Sequence, residues 1–394
     1  MASSEPRALW LWLHRYVGLA GLIFLGLAAL TGCIMCFIRP LDAAINADLF
    51  RAPATGAAMP VALAVDRYQA RHPELYVRSF PLDVPVGQTI AMKVEPAGKT
   101  SKLGFNQVFL DRGDGHVVGS RMDDAAWTRR GAMKLLHDLH YTLLAGDPGK
   151  WLMAILAFTW LVSNIIGAYL TLPLRPPFWR SWRRMWRFRL SSSTPRIMLD
   201  VHRSGGLWLL LPLTALAFTS VALNLFTPVW QPAVEALLPS PPSPLDMPAP
   251  YPKGVRGEIA FVRAIAAART QAAVNHEPWL PATGLYNPKR GLYGVQLTDD
   301  GRLNYRRLGP INYYFDGGSG AFVAADTPYG DPGLSLIRML YTIHSGRVAG
   351  PLGVAVVFVL GVVTVEMCVT GVYIWWTKRR AGRRGLTARK SPKP

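Results

Sequence analysis

The sequence predicts an α-helical integral membrane protein, in which a four-helix transmembrane bundle carries two soluble α+β modules and the chain is internally duplicated. Three observations predict this fold class. Of the 394 residues, 50% are hydrophobic and only 17% are charged, whereas soluble proteins carry about 25% charged residues. Four apolar segments are long enough to span a membrane, and the two halves of the chain repeat the same series of motifs.

Each of the four apolar segments can form a helix that crosses a hydrocarbon core of about 30 Å, which takes about 20 residues. The first segment is not expected to be a cleaved signal peptide, because its apolar run is longer than the roughly 7–15 residues found in such peptides. The predicted spans are Leu11–Ile38, Trp151–Pro173, Leu207–Trp230 and Pro351–Trp376.

The charge distribution predicts the orientation. The formal net charge is +19, and fifteen of these charges come from two clusters that directly follow the second and fourth spans. Loops rich in Lys and Arg stay in the cytoplasm, so we expect both termini there and the soluble modules outside. Because the basic residues follow membrane spans, nucleic acid is not an expected partner. The stretch from Phe178 to Trp186 predicts a helix lying on membrane lipid, with docking of a redox donor as the alternative.

The internal duplication rests on motifs that recur in the same order. Each half opens its outgoing span with His-Arg, continues with a helix-like stretch and a hairpin whose turn begins with Asp, and places a histidine before the incoming span. Hairpin turns favour Asp at the start and Gly where φ is positive. The separation between the turn Asp and the later histidine is almost the same in the two halves. The repeated residues are His14-Arg15, Asp111 and His140, then His202-Arg203, Asp316 and His344.

Spans, loops and repeats together predict the order of segments. The first half contains the N-terminus and first span at residues 1–39, an outer module at 40–130, and a helix with the second span at 131–173. A basic loop at 174–199 joins the halves. The second half contains the third span at 200–230, an outer module at 231–335, a helix with the fourth span at 336–377, and a basic tail at 378–394.

Four histidines near helix ends are the candidate metal ligands. His14 and His202 begin the outgoing spans and share the inner side, while His140 and His344 precede the incoming spans and share the outer side. Two histidines from facing helices are what bis-imidazole ligation of a haem iron requires. A helix from His14 to Arg39 is about 37 Å long at about 1.5 Å per residue, so it crosses most of the bilayer. The sequence therefore predicts two haem sites in opposite leaflets.

Neighbouring residues extend these predicted sites. Arg15 and Arg203 are expected where haem propionates emerge, because a guanidinium forms charge-assisted hydrogen bonds with carboxylates. The small residues expected to leave room for a flat macrocycle are Gly18, Gly21, Gly205 and Gly206. His137 lies one helical turn before His140 and could replace it as the ligand, or contact substrate.

Two further features of the spans have alternative interpretations. Glu366 lies in the middle of the fourth span, where a carboxylate is costly. It could handle protons or a quinone head group, or form a hydrogen bond with Asn224 or Asn164. Cys33 and Cys36 form a C-x-x-C motif that is not followed by His, so no c-type haem attachment is predicted. Small apolar helix residues are a better interpretation of this pair than an exofacial dithiol.

The segment from Leu13 to Leu19, the helix-plus-hairpin modules and the paired histidines resemble PepSY-associated transmembrane proteins. Within that family the chain is similar to iron-regulated, di-haem inner-membrane siderophore reductases of the ferrioxamine reductase type. The resemblance implies PepSY-like modules in the periplasm, a bacterial inner membrane, two b-type haems per chain, and reduction of Fe(III)-siderophore to release Fe(II).

The electron donor is expected to be a separate molecule. No G-x-G-x-x-G motif for a nicotinamide or flavin cofactor occurs between a strand and a helix, and the cytoplasmic loops are too short to hold such a domain. A quinol or a cytoplasmic protein is therefore the expected donor. Two alternatives to siderophore reduction are a transmembrane haem oxidoreductase with another periplasmic acceptor, and a haem-free PepSY protein that binds or inhibits a partner.

Overall fold

The computed structural model describes residues 5–52, 58–98, 103–189, 191–245 and 259–390. The chain divides into two compact units. The first, called here the membrane unit, comprises Met1–Cys36, Leu136–Gln231 and Ile343–Pro394. The second, called the soluble unit, comprises Phe37–Leu135 and Pro232–Thr342. Each unit is thus built from segments of both halves of the chain.

The first half contains the helices α1 (Glu5–Met35), α2 (Ile38–Ile45), α3 (Ala47–Phe50) and α4 (Val61–Arg71), the strands β1 (Leu75–Pro81), β2 (Ile90–Pro96), β3 (Gln107–Leu110) and β4 (Val117–Arg121), and the helices α5 (Ala132–Thr142), α6 (Gly146–Thr171) and α7 (Phe178–Arg183). The second half contains α8 (Thr194–Trp208), α9 (Leu210–Asn224), α10 (Gln231–Leu237) and α11 (Phe261–Val274), then β5 (Leu280–Asn287), β6 (Leu292–Thr298), β7 (Ile311–Asp316) and β8 (Phe322–Asp326), and finally α12 (Pro332–His344) and α13 (Gly350–Lys390).

Among the described residues, three helices are long and apolar enough to cross a membrane: Pro6–Met35, Gly146–Thr171 and Arg347–Ala381. α8 and α9 meet the same criteria only as a pair, which is bent by 73°. The predicted third span is therefore not one straight helix. Pro212 accounts for the break, because its ring has no N–H and clashes with the carbonyl four residues earlier. That carbonyl belongs to Trp208, the residue at which α8 ends.

The helices of the membrane unit pack with apolar side chains on their outer surface. α1 packs against α13 and α6, α9 packs against α6, and α8 packs against α13. Side chains such as Ile23, Leu211 and Leu352 are 73%, 81% and 73% exposed. Large aliphatic groups that face outward on helices of this length are expected where the surroundings are hydrocarbon. The chain is a membrane protein.

The soluble unit contains one antiparallel sheet of eight strands in the order β4-β3-β2-β1-β5-β6-β7-β8. The two predicted α+β modules therefore share a sheet, because β1 pairs with β5 through Phe80 opposite Gly284. A Cβ atom on Gly284 would lie 2.6 Å from the Phe80 ring. The ring can therefore lie over this position of β5 because residue 284 has no side chain. The pairing also covers an edge of each four-stranded half, which would otherwise be open to association.

Helices α4 and α11 pack against each other and against the sheet to form the core of the soluble unit. The Asp66 side chain on α4 accepts hydrogen bonds from the backbone N–H groups of Phe261 and Val262, at 2.8 and 3.0 Å, at the start of α11. Burial raises the pKa of Asp66, although these two donors favour its charged form. Both predicted hairpins are present, with Gly115 and Gly320 at φ +77° and +76° after the turn.

Candidate functional site

The four predicted histidines all lie in the membrane unit and meet in two pairs. The ring centres of His14 on α1 and His202 on α8 are 6.3 Å apart, with the ring planes at 69°. The ring centres of His140 on α5 and His344 at the end of α12 are also 6.3 Å apart, with the planes at 53°. These pairs are the ones expected from the repeat, and we call them the inner pair and the outer pair.

Each histidine of the inner pair has a hydroxyl within hydrogen-bond distance of Nδ1 and a glycine close to its ring, both from a neighbouring helix. The Nδ1 atom of His14 lies 2.9 Å from Ser163 Oγ on α6, and the Nδ1 atom of His202 lies 3.0 Å from Thr370 Oγ1 on α13. A Cβ atom on Gly167 would lie 3.3 Å from the His14 ring, and one on Gly371 would lie 3.6 Å from the His202 ring. The glycines thus let helix backbone approach the imidazoles closely.

The outer pair has the same kind of surroundings. His140 Nδ1 lies 3.0 Å from Thr31 Oγ1 and 3.0 Å from the Ala28 carbonyl oxygen on α1. A Cβ atom on Gly32 would lie 3.1 Å from this ring. His344 Nδ1 lies 3.3 Å from Thr219 Oγ1 on α9.

The charge state of the outer pair follows from its surroundings. Burial, with the neighbouring His140 as a second cause, lowers the pKa of His344 to about 4. Burial also lowers the pKa of His140, and the Ala28 carbonyl opposes this effect. Both imidazoles are therefore neutral at pH 7, which is the form that binds metals.

The two pairs are separated along α1. His14 belongs to the inner pair, and Thr31, which contacts His140 of the outer pair, lies further along the same continuous helix. The rise from His14 to Thr31 is about 25 Å at about 1.5 Å per residue. The pairs are therefore two distinct sites at opposite ends of the membrane unit's first helix.

Sequence reasoning missed the four hydroxyl groups that hold the histidines. Two of them carried a signal, because Thr31 stands at the same offset from His14 as Thr219 does from His202. An alignment of the two halves on their His-Arg motifs would have paired these threonines. Ser163 and Thr370 do not occupy matching positions relative to Gly167 and Gly371, and no comparable signal marks them.

Arg203 and Arg15 differ in their surroundings. The Arg203 guanidinium contacts Asp200 at 2.7 Å, one turn earlier on α8, and also donates to the Met185 carbonyl. Asp200 is only 1% exposed and also binds Arg189. Arg203 is therefore engaged by a carboxylate of this chain. Arg15 has no hydrogen bond or ion pair to any residue that the structure describes, so it keeps its donors for an added carboxylate.

The glycines expected to make room for a macrocycle are only partly open. The Met367 methyl group lies 3.0 Å from a Cβ atom built on Gly206 and 3.9 Å from one built on Gly205, so a flexible side chain fills this space. Gly21 has Leu156 at 3.4 Å, and Gly18 has nothing within 4 Å. A methionine side chain can change its rotamer more easily than backbone can move.

His137 does not share the position of His140. Its Nδ1 atom lies 3.0 Å from Asp138, its ring contacts Tyr141, and its side chain is 46% exposed. His140 is the residue of α5 that faces His344.

Glu366 is half-buried, and its buried Oε1 atom has no hydrogen-bond partner among the described residues. Asn164 Nδ2 and Asn224 Oδ1 are likewise buried without a partner in the described part of the chain, so the predicted hydrogen bond from Glu366 to either amide is not formed. Thr370, the partner of His202, lies one turn further along α13. The three cysteines are free, and Cys33 Sγ lies 3.4 Å from the Phe358 carbonyl oxygen.

Comparison with known proteins gives one finding. A family model described as the PepSY-associated TM region matches residues 11–378. This match covers both histidine pairs and nearly all of the chain. None of the curated proteins compared with the chain matches it.

Proposed function

The chain belongs to the PepSY-associated transmembrane family, and on that premise we propose that it is a di-haem b electron-transfer protein of the bacterial inner membrane. Its substrate is Fe(III)-siderophore in the periplasm, and the product Fe(II) is released for uptake. The bent pair α8–α9 forms the fourth crossing of the bundle. The two halves of the chain arose by duplication, since each supplies an outgoing helix, four strands, a helix with a histidine and an incoming helix.

The spacing of the histidine pairs is the observation that carries this proposal. A metal binds an imidazole nitrogen at about 2 Å, and the ring centre lies about 1.2 Å further out, so two imidazoles on opposite sides of one ion have ring centres about 6.4 Å apart. On a tetrahedral ion the same distance would be about 5.2 Å. Both pairs measure 6.3 Å between ring centres, which fits two imidazoles that would hold one haem iron between them better than two ligands of a tetrahedral zinc ion.

The residues of the pairs fit this cofactor in their chemistry. His14 and His202 would hold the inner haem, and His140 and His344 the outer one. When bound, haem iron supplies reversible exchange of one electron. Arg15 offers unpaired donors for a propionate, while Arg203 would have to share its guanidinium with Asp200. The hydroxyls beside the Nδ1 atoms orient the rings, as hydrogen-bond partners of the non-ligating nitrogen do at metal-binding histidines.

The direction of electron transfer follows from the charge of the loops. The basic segments after α6 and along the end of α13 belong in the cytoplasm, which places the inner pair on that side. The donor is then a quinol or a cytoplasmic protein. Ferric chelates are too polar to cross the bilayer, so the soluble unit meets them in the periplasm. Reduction releases the metal because oxygen ligands hold Fe(II) more weakly than Fe(III).

The decisive experiment is a pyridine haemochrome assay on the purified full chain. We expect two b haems per chain, which acid-acetone extracts because no C-x-x-C-H motif tethers them. One haem or none would contradict the two-site proposal, and a colourless protein would favour a haem-free binding or inhibitory role. Oxidation of the reduced protein in a single turnover by a panel of ferric siderophores then distinguishes siderophore reduction from transfer to another periplasmic acceptor.

A further inference from the structure

The hydroxyls beside His202 and His344 indicate which ring nitrogen of each imidazole carries hydrogen. A threonine hydroxyl has one hydrogen to donate and lone pairs to accept with. Thr370 Oγ1 donates to the Glu366 carbonyl at 3.0 Å, and Thr219 Oγ1 donates to the Ala215 carbonyl at 3.0 Å. Each hydroxyl hydrogen is thus directed to backbone of its own helix. The Nδ1 atom that faces the hydroxyl must then be the donor, which leaves Nε2 with the lone pair that binds a metal.

The same assignment holds for His140, where it has a second support. Thr31 Oγ1 donates to the Leu27 carbonyl at 2.8 Å. The Ala28 carbonyl, which can only accept, lies 3.0 Å from His140 Nδ1. His140 therefore carries its hydrogen on Nδ1 whether or not the Thr31 hydroxyl is present.

The two histidines of the outer pair differ in how firmly they are held. His140 Nδ1 has two acceptors, one of them a carbonyl that no side-chain substitution removes. His344 Nδ1 has Thr219 Oγ1 at 3.3 Å as the one acceptor that the described chain offers it. Thr219 is itself only 3% exposed. Bulk water therefore does not reach this position to accept the hydrogen bond in place of the hydroxyl.

We propose that Thr219 is the positioning residue of the outer site: its hydroxyl fixes the tautomer and ring orientation of His344, so that Nε2 is presented toward His140. This inference rests on the proposed haem ligation and adds a residue to it. Without the hydroxyl, the buried Nδ1–H group of His344 has no acceptor among the residues that the structure describes. The unpaired Nδ1–H group can find an acceptor only if the ring rotates, and it is removed only if the hydrogen moves to Nε2. After either change, Nε2 no longer directs a lone pair toward His140, where it would bind the iron.

The test compares Thr219→Val with Thr31→Val in the full-length holoprotein. Valine has nearly the shape of threonine but accepts no hydrogen bond. Loss of the hydrogen-bond partner of a metal-binding histidine typically costs about 10–100-fold in metal affinity. We expect Thr219→Val to lose outer haem to an apoglobin acceptor faster by a factor in that range. Thr31→Val should lose outer haem more slowly than Thr219→Val, because the Ala28 carbonyl still accepts from His140 Nδ1. Thr219→Ser, which keeps the hydroxyl, should restore the wild-type rate.

Electron paramagnetic resonance gives a readout that does not depend on reductase activity. In Thr219→Val only the low-spin signal of the outer haem should shift, and that of the inner haem should stay unchanged. Equal behaviour of the two valine variants, or equal loss of both haems in Thr219→Val, would overturn the inference. The proposed function has a separate outcome, since it fails if the wild-type chain itself binds no haem.

Discussion

Replacement of His140 by alanine, with His137→Ala as its control, tests the ligand assignment most directly. The two histidines lie one turn apart on α5, so both substitutions perturb the same helix to a similar extent. His140 lies 6.3 Å from His344 between ring centres and is held by Thr31 and Ala28. His137 is 46% exposed and contacts its neighbours Asp138 and Tyr141.

The expected magnitude follows from these positions. On the proposed ligation, His140→Ala removes one of the two histidines that would hold the outer haem, so haem content should fall from two per chain to one, and the Soret absorbance per chain by about half. His137→Ala should retain two haems, because its side chain takes no part in either pair. Haem is quantified as pyridine haemochrome against protein from amino-acid analysis. The assignment is refuted if His137→Ala loses the outer haem while His140→Ala keeps it.

Two further predictions concern stability and direction. Arg121→Ala should lower the free energy of unfolding by about 3–5 kcal/mol, measured by chemical denaturation, because it strands the Asp42 carboxylate that Arg121 binds at 2.8 and 2.6 Å. Arg302→Ala, which breaks a pair with Asp83 whose side chains are 72% and 45% exposed, should cost below about 1 kcal/mol. In oriented vesicles, His344→Ala should keep a reducible inner haem yet fail to reduce ferric chelate presented outside. Normal reduction after proven loss of the outer haem would move the reactive site elsewhere, with Cys33 and Cys36 as the next candidates.

Features with a strong local cause were predictable from the sequence. Apolar length marks the first, second and fourth spans, and turn chemistry marks both hairpins, whose Gly115 and Gly320 adopt the positive φ that the turns require. The pairing of the four histidines was also predictable, because the repeat assigns each one to an inner or an outer helix end. The signals for the spans and hairpins are carried by residues close together in the chain, and the signal for the histidine pairs is carried by the repeated motifs.

Features that depend on contacts between distant segments were not predictable. Asp200 forms an ion pair with Arg203 and lies three residues earlier on the same helix. The sequence does not show that Asp200 is buried, and its burial depends on the rest of the fold. The two modules join in one sheet through pairing of β1 with β5, segments about 200 residues apart in the chain, with Gly284 opposite Phe80. Pro212 is a local signal for the bend between α8 and α9. The sequence on both sides of the bend is apolar, so the segment was predicted as one straight span.

The hydroxyls that hold the histidines show why a site of this kind is set by the whole bundle. Every imidazole comes from one helix and its hydroxyl partner from another: α1 with α6, α8 with α13, α5 with α1, and α12 with α9. α1 therefore takes part in both sites, through His14 in one and through Thr31 and Gly32 in the other. Gly32 follows His14 by about five full turns at about 3.6 residues per turn. His14 and Gly32, which contacts the His140 ring, therefore lie on the same face of α1. Because α1 is one continuous helix, it fixes the distance and the rotation between the two sites.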